Sequence, residues 1–264
     1  GGGCLEPSYA TDPAPSARHV YDAFAYVGVE RAFYLVAGAY GRVNRDATEE
    51  AIAENQWART WRLSLGDLRW TAFDSEPRGL FEGRVSGYES HLRWWPDGER
   101  LLWVDEDGDR FAQLDLREHR WEPFDADPAP FEEVAGGALH RALSTWDSKR
   151  ARWVFHVAGQ VASFDPATGS WERHADLSSI EWGTNAITYL TRYDRLLVVG
   201  ARGRDTAIYD FDDDRWTPLE AGDPTFEPAD TRFRYVDYDP VRNSVEMVSL
   251  GAGGFYRLKL SGCD

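Results

Sequence analysis

The chain is poor in lysine, methionine and cysteine. Among its 29 basic residues only Lys149 and Lys259 are lysines, its single methionine is Met247, and its two cysteines, Cys4 and Cys263, sit at opposite ends of 264 residues. Long apolar runs are missing as well: nothing approaches the roughly 18 consecutive apolar residues of a membrane-spanning helix, so the chain is read as not membrane-spanning. A positive surplus is absent too. With 45 acids against 29 bases the net charge is −16, a balance that repels a phosphate backbone and removes nucleic acid from the expected partners.

Signature motifs of common chemistries are also lacking. There is no GxSxG elbow, HExxH, CxxC or P-loop. With both cysteines at the ends, no thiol is placed as a nucleophile. Asn44, Asn55, Asn185 and Asn243 all fail the Asn-x-Ser/Thr pattern. No cofactor is implied, no metal ligands are assigned, and a non-enzymatic role is expected. The arginine bias, with abundant Ala, Gly and Asp, is associated with bacterial coding sequences. The chain opens on Gly1 rather than Met, and a removed leader or trimming is expected.

What is present is a globular composition, 42% hydrophobic, 14% aromatic and 28% charged. It is organised by internal repetition. Four segments close alike: WRLSLGDLRWTAF at 61–73, FAQLDLREHRWEPF at 111–124, VASFDPATGSWERH at 161–174 and TAIYDFDDDRWTPL at 206–219. Each reads as an alternating strand, a polar turn and a strand opened by Trp70, Trp121, Trp171 or Trp216, which is a hairpin pattern. A second hairpin precedes each, turning at Tyr26–Arg31, Trp95-Pro96-Asp97-Gly98, Trp146-Asp147-Ser148-Lys149, Tyr193-Asp194-Arg195 and Tyr238-Asp239-Pro240-Val241-Arg242. An apolar strand follows each turn, as in LLWV at 101–104 or LLVVG at 196–200. Four antiparallel strands every 40–50 residues, about the length of a propeller blade, predict an all-β, five-bladed β-propeller.

The unit resembles a bacterial Kelch-type repeat: an aromatic-Asp-x-x-Arg turn, an apolar strand ending in small residues, then a hairpin closing on Trp. The double glycine of that repeat stands only in the last unit, at Gly253-Gly254. The resemblance spans roughly residues 18–264 and implies one propeller domain over 1–264. Blades are expected at 18–73, 86–124, 139–174, 184–219 and 232–264. The last unit holds three strands, and Leu5-Glu6-Pro7 echoes Trp121-Glu122-Pro123 and Trp216-Thr217-Pro218, so residues 4–9 are expected to close the ring beside Phe255–Leu260. Cys4 then faces Cys263, and a disulfide is expected, which suits an oxidising compartment. Two free thiols remain an alternative. A lipoprotein cysteine at Cys4 is another, because Gly-Gly-Cys resembles the end of a lipobox.

Two residue sets are candidates for contact. The first lies in the long insertion Ala39–Arg59, whose latter part reads as helical from Asp46: Arg42, Asn44, Arg45, Glu49, Glu50, Asn55, Trp57 and Arg59. Its arginines can grip carboxylates in two-pronged fashion, which points to an acidic partner. The second lines the innermost strands: Asp22, His91, Tyr189 and Arg234 at one aligned position, with Arg93 two residues beyond His91. Asp105-Glu106-Asp107-Gly108-Asp109 has the alternating acids of a calcium loop but not the distal Glu of an EF-hand, and a hairpin turn is expected there. The reading is a secreted, periplasmic or cell-surface module that binds a protein or a glycan. Its rival is a carbohydrate-active or metal-assisted hydrolase with its site at the channel mouth.

Overall fold

One piece of turn chemistry recurs through the chain. The computed structural model describes residues 18–19, 22–36, 39–40, 59–73, 75–81, 90–131, 137–140, 142–177, 186–199, 206–219, 233–249 and 254–260. In hairpin after hairpin the last strand residue is an aspartate whose carboxylate caps the turn. Asp115 Oδ1 accepts the N–H of Arg117 at 2.8 Å and of Glu118 at 3.1 Å. Asp147, Asp165, Asp210 and Asp239 act in the same way. This is the local bonding that makes Asp a turn former. The turns close on a left-handed residue: Arg31, Glu99, Ala151, Asp194 and Asn243 in the first hairpins, Leu68, His119, Gly169 and Asp214 in the second. The aromatic-Asp-x-x-Arg pattern thereby gains a cause. Its arginine folds back onto its aspartate, as Arg150 Nη1 does onto Asp147 Oδ2 at 3.0 Å.

These hairpins build five antiparallel sheets. The first orders β2 (Phe24–Val27), β3 (Ala32–Leu35), β5 (Thr60–Ser64) and β6 (Trp70–Phe73), beside a two-stranded pair, β1 (Arg18–His19) and β4 (Ala39–Tyr40). The second is β7 (His91–Trp95), β8 (Arg100–Val104), β9 (Phe111–Asp115) and β10 (Arg120–Phe124). The third is β11 (Leu143–Asp147), β12 (Arg152–Val157), β13 (Gln160–Asp165) and β14 (Ser170–Arg173). The fourth is β15 (Ala186–Leu190), β16 (Arg195–Val199), β17 (Ala207–Asp210) and β18 (Arg215–Pro218). The fifth has three described strands, β19 (Phe233–Asp239), β20 (Ser244–Ser249) and β21 (Gly254–Lys259). The fold is the all-β five-bladed propeller that the repeat predicts. Residues 4–9, expected as its last strand, lie outside the described residues, as do Cys4 and Cys263. The helix expected after Asp46 lies outside them too.

Contacts gather the chain into two compact units. One comprises residues 1–129 with 133–140, the other 130–132 with 141–264. In the first unit, small residues of sheet one (Ala23, Ala25, Val27, Ala32) receive large ones of sheet two (Leu92, Leu101, Trp103, Leu114, Trp121). In the second unit, β16 is buried on both sides. Leu196 and Val198 pack with Val154, Val161 and Tyr209, while Leu197 and Val199 pack with Tyr238, Val245 and Met247. A strand covered on both faces has no solvent side, so Leu196–Val199 reads as an unbroken apolar run rather than an alternation.

Most tryptophans serve this packing. Trp61, Trp103 and Trp153 are wholly buried. The Trp that closes each repeat sits directly opposite the next-to-last residue of the strand before the turn: Leu63↔Trp70, Leu114↔Trp121, Phe164↔Trp171 and Tyr209↔Trp216. Two of them also reach the preceding sheet. Trp121 Nε1 donates to Thr60 Oγ1 at 2.7 Å, and Trp216 Nε1 donates to the Ala175 carbonyl at 2.8 Å.

Candidate functional site

Three residues of the innermost-strand set meet in the first unit. Asp22 stands just before β2 and makes a parallel bridge to His91, the first residue of β7, and the Leu92 N–H donates to the Asp22 carbonyl at 2.9 Å. That pairing brings the starts of two innermost strands side by side. The Asp22 carboxylate is then shared. His91 Nδ1 lies 3.1 Å from Oδ2, and Arg93 Nη2 donates to Oδ2 at 3.2 Å and Oδ1 at 3.3 Å. The His91 side chain is 2% exposed, whereas Arg93 and Asp22 are 23% and 29% exposed. The carboxylate and the guanidinium therefore reach solvent, with the imidazole held behind them.

The back of this cluster is tied to the acidic loop. His91 Nε2 lies 3.4 Å from the Leu139 carbonyl, and the Leu139 N–H donates to the Glu106 carbonyl at 2.8 Å. Gly137 makes that approach possible. Its φ is +122° and a Cβ there would lie 2.5 Å from the Glu106 oxygen. Within the loop, Asp105 is fully buried. Its carboxylate accepts the Gly108 N–H at 3.0 Å and Arg110 Nη1 at 3.3 Å. Burial, with Asp109 and Asp107 close by, pushes the Asp105 carboxyl up to about 6. One oxygen each from Asp105, Asp107 and Asp109 falls within 4.8 Å of the others, so these are residues that could hold a cation. The hydrogen bonds of Asp105 also make it a turn cap, the role expected from sequence.

The insertion joins the same end of sheet one. Val36, where the chain leaves β3, donates its N–H to the Ala23 carbonyl at 3.2 Å, next to Asp22. Just beyond, β4 pairs with β1 in the register Arg18↔Tyr40 and His19↔Ala39. The chain returns at Arg59, which is described and leads into β5. Arg42, Asn44, Arg45, Glu49, Glu50, Asn55 and Trp57 lie outside the described residues.

Tyr189 is not part of the Asp22 cluster. Counting from the hairpins, Leu190↔Arg195 corresponds to Trp95↔Arg100, so the counterpart of His91 is Ala186 and Tyr189 corresponds to Trp94. Its hydroxyl donates to Asp194 Oδ1 at 2.8 Å. Asp194 is gripped by Arg150 through two bonds, Nη1 to Oδ1 at 2.6 Å and Nη2 to Oδ2 at 3.0 Å, and Lys149 adds a third cationic contact. Burial opposes ionisation of Asp194, but the hydrogen bonds from Arg150, Lys149 and Tyr189 outweigh it and hold the carboxyl well below its usual range. Burial, then the bond to Asp194, pushes the Tyr189 phenol up. The Arg150 guanidinium also sits 4.0 Å over the Phe211 ring. This network fastens sheet three to sheet four. Arg234 lies on β19, at the register shift between Phe233 and Tyr235.

Sequence reasoning did not single out Arg150, which entered only as a repeat marker. It gave no role to Leu139 either, whose contribution is made by backbone atoms alone.

No family model matches the chain, and no curated protein matches it. Solved structures do. A chain of a nidogen/laminin complex aligns over 90% of this chain and 79% of its own, at 12% identity and a TM-score of 0.51. Virginiamycin B lyase from Staphylococcus aureus aligns over 93% and 72%, at 9% identity and 0.50. An extracellular domain from B. thetaiotaomicron aligns over 91% of this chain and 27% of its own, at 11% identity and 0.53. At such identities the likeness is one of fold. Among the described residues no helix is long and apolar enough to cross a membrane.

Proposed function

We propose that the chain is a binding module of a secreted, periplasmic or cell-surface protein, built from Kelch-type repeats. Its contact surface is the end of sheet one where Asp22 and Arg93 reach solvent and the 39–59 insertion departs. The observation that carries this reading is the Val36–Ala23 hydrogen bond, which holds the exit of β3, three residues before the insertion begins, beside Asp22. The fold neighbours, one an extracellular domain and one from a complex of two proteins, support a role in interaction.

The partner in this reading is an acidic protein segment or a uronic-acid glycan, met by Arg42, Arg45 and Arg59. These arginines offer a local cationic cluster on a chain of net charge −16. The hydrolase alternative gains less support. Asp22 already accepts from both His91 and Arg93, and the three clustered carboxylates share one tight turn with Asp105 buried. A glycan array and a pulldown with the intact protein, repeated with residues 41–58 replaced by a Gly-Ser turn, test the reading. Binding abolished in a folded variant supports it, and undiminished binding overturns it.

A further inference from the structure

Sheet three breaks the repeat at one buried position. Where the second strand of each sheet comes level with the start of the first, the other sheets hold valine. These are Val36 beside Ala23, Val104 opposite His91, Val199 opposite Ala186 and Val248 opposite Tyr235. Sheet three holds His156 there, opposite Leu143. The residue is 2% exposed, and its Nε2 has no hydrogen-bond partner among the described residues. A buried nitrogen left unpaired costs stability that a valine would not. A local rule broken at such a cost is where a function is expected.

The surroundings of His156 supply no counter-charge. It pairs directly with Leu143 on β11 and Val161 on β13, and it shares one face of β12 with Val154, two residues away. Val154 and Val161 pack with Leu177 and with Ile187, Tyr189, Leu196 and Val198. His156 therefore stands in the apolar layer between sheets three and four, both within the second unit. The next group in its row is His174, whose N–H donates to the Val161 carbonyl at 3.0 Å. His174 Nε2 is satisfied by Ser163 Oγ at 2.9 Å, and its ring meets Tyr209 and Phe211. Tyr189 and Tyr209 present neutral phenols that donate to Asp194 and Asp214. The charged groups on this side, Asp147, Arg150, Arg152 and Glu172, pair with one another or with Asp194. None of them acts on the imidazole, and burial alone pulls it from 6.5 to about 4.

We propose that His156 is an acid-sensitive release for the seam between sheets three and four. Closed, the seam keeps a neutral imidazole in a dry layer. Opening admits water to the ring, and in acid the opened form takes one proton from solvent onto its basic nitrogen. The imidazolium cannot return to a layer that offers it no carboxylate. Acid therefore shifts the seam towards its opened form and exposes the apolar faces of Val154, Val161, Ile187 and Val198. The closed form is fully favoured above pH 6.5 and loses that advantage as pH falls towards 4. His174, which burial also pulls below its usual range, adds to the response in the same direction. Valine at the matching place gives the other four sheets no such response.

Amide hydrogen exchange of the full chain, corrected for the intrinsic effect of pH, reads the opening directly. From pH 7.5 to pH 5 the amides of β12, β13 and β16 should open about thirtyfold more often, the ratio set by a fall from 6.5 to about 4, with no such rise for β8 and β9 of sheet two. In His156→Val, which gives sheet three the residue of the others, the rise should shrink at least fivefold. An undiminished rise in that variant, or an equal rise in sheet two of the parent, would overturn the release. Nitrogen NMR of the parent supplies a check that needs no variant. The His156 ring should remain neutral in the folded protein at pH 5, and a folded-state midpoint near 6.5 would overturn the proposal as well.

Discussion

Arg150 and Asp194 meet in a two-pronged ion pair across 44 residues of sequence, 2.6 Å and 3.0 Å at its two prongs. Each side chain sits in a turn between the first two strands of its sheet. Arg150 is itself held by Asp147, which is fully buried, so a single guanidinium serves two carboxylates of neighbouring sheets.

Replacing Arg150 leaves both carboxylates short of a donor. Arg150→Met retains much of the contact with Phe211 but removes the charge. A loss of about 2–3 kcal/mol in unfolding free energy is expected, the scale of stranding buried acceptors. Urea denaturation measures it. In a double-mutant cycle, Asp194→Asn should cost less in the Arg150→Met background than in the parent. A loss under about 0.5 kcal/mol would place these groups among ordinary surface pairs.

Trp121→Phe tests the polar link within the first unit. The ring still packs, but Thr60, itself buried, loses the indole N–H that it accepts at 2.7 Å. A cost of about 1–2 kcal/mol is expected, shared between the lost bond and the smaller ring. An unchanged denaturation midpoint would show that the bond contributes nothing.

The response to acid should hide two opposed contributions. Burial lowers His156 from 6.5 to about 4, so its neutral form belongs to the folded state. Its contribution is complete above pH 6.5 and is lost as pH falls towards 4, by about 3 kcal/mol. Asp105 runs the other way. Raised from 3.8 to about 6, it favours the fold at low pH, and that contribution is lost as pH rises from 3.8 to 6. Relative to the parent, His156→Leu should therefore flatten or invert the slope of stability against pH between 4 and 6, and Asp105→Asn should steepen it. Denaturation of the three proteins across that range checks the signs: a slope steepened by His156→Leu would contradict the first assignment, and one flattened by Asp105→Asn the second.

The fold was legible because its signals are local and repeated. Asp at the turn, Trp opposite the residue before it and two-residue alternation recur every 45–51 residues, so each copy corrects the others. The alignment slipped where a local feature imitated the repeat. Tyr193-Asp194 looks like Tyr238-Asp239, yet the structure matches Tyr189-Leu190 to that pair, and Tyr189 moved away from His91. The site was only half legible for a different reason. Alignment puts Asp22 and His91 in one set with Tyr189 and Arg234, but the meeting of these two alone is fixed by a backbone bridge across 69 residues. The same holds for Arg150 with Asp194. No periodicity encodes which side chains meet across adjacent sheets.

In the proposed function, binding resides at the end of sheet one from which the insertion departs. The most direct measurement is titration of immobilised oligogalacturonate and polyglutamate with the parent protein and with the Arg42→Ala/Arg45→Ala/Arg59→Ala variant. The account predicts salt-sensitive binding of at least one acidic probe by the parent, weakened tenfold or more in the variant, with unchanged unfolding and no response to a chelator. Equal affinity of the two proteins, or binding by the parent that a chelator abolishes, would contradict it.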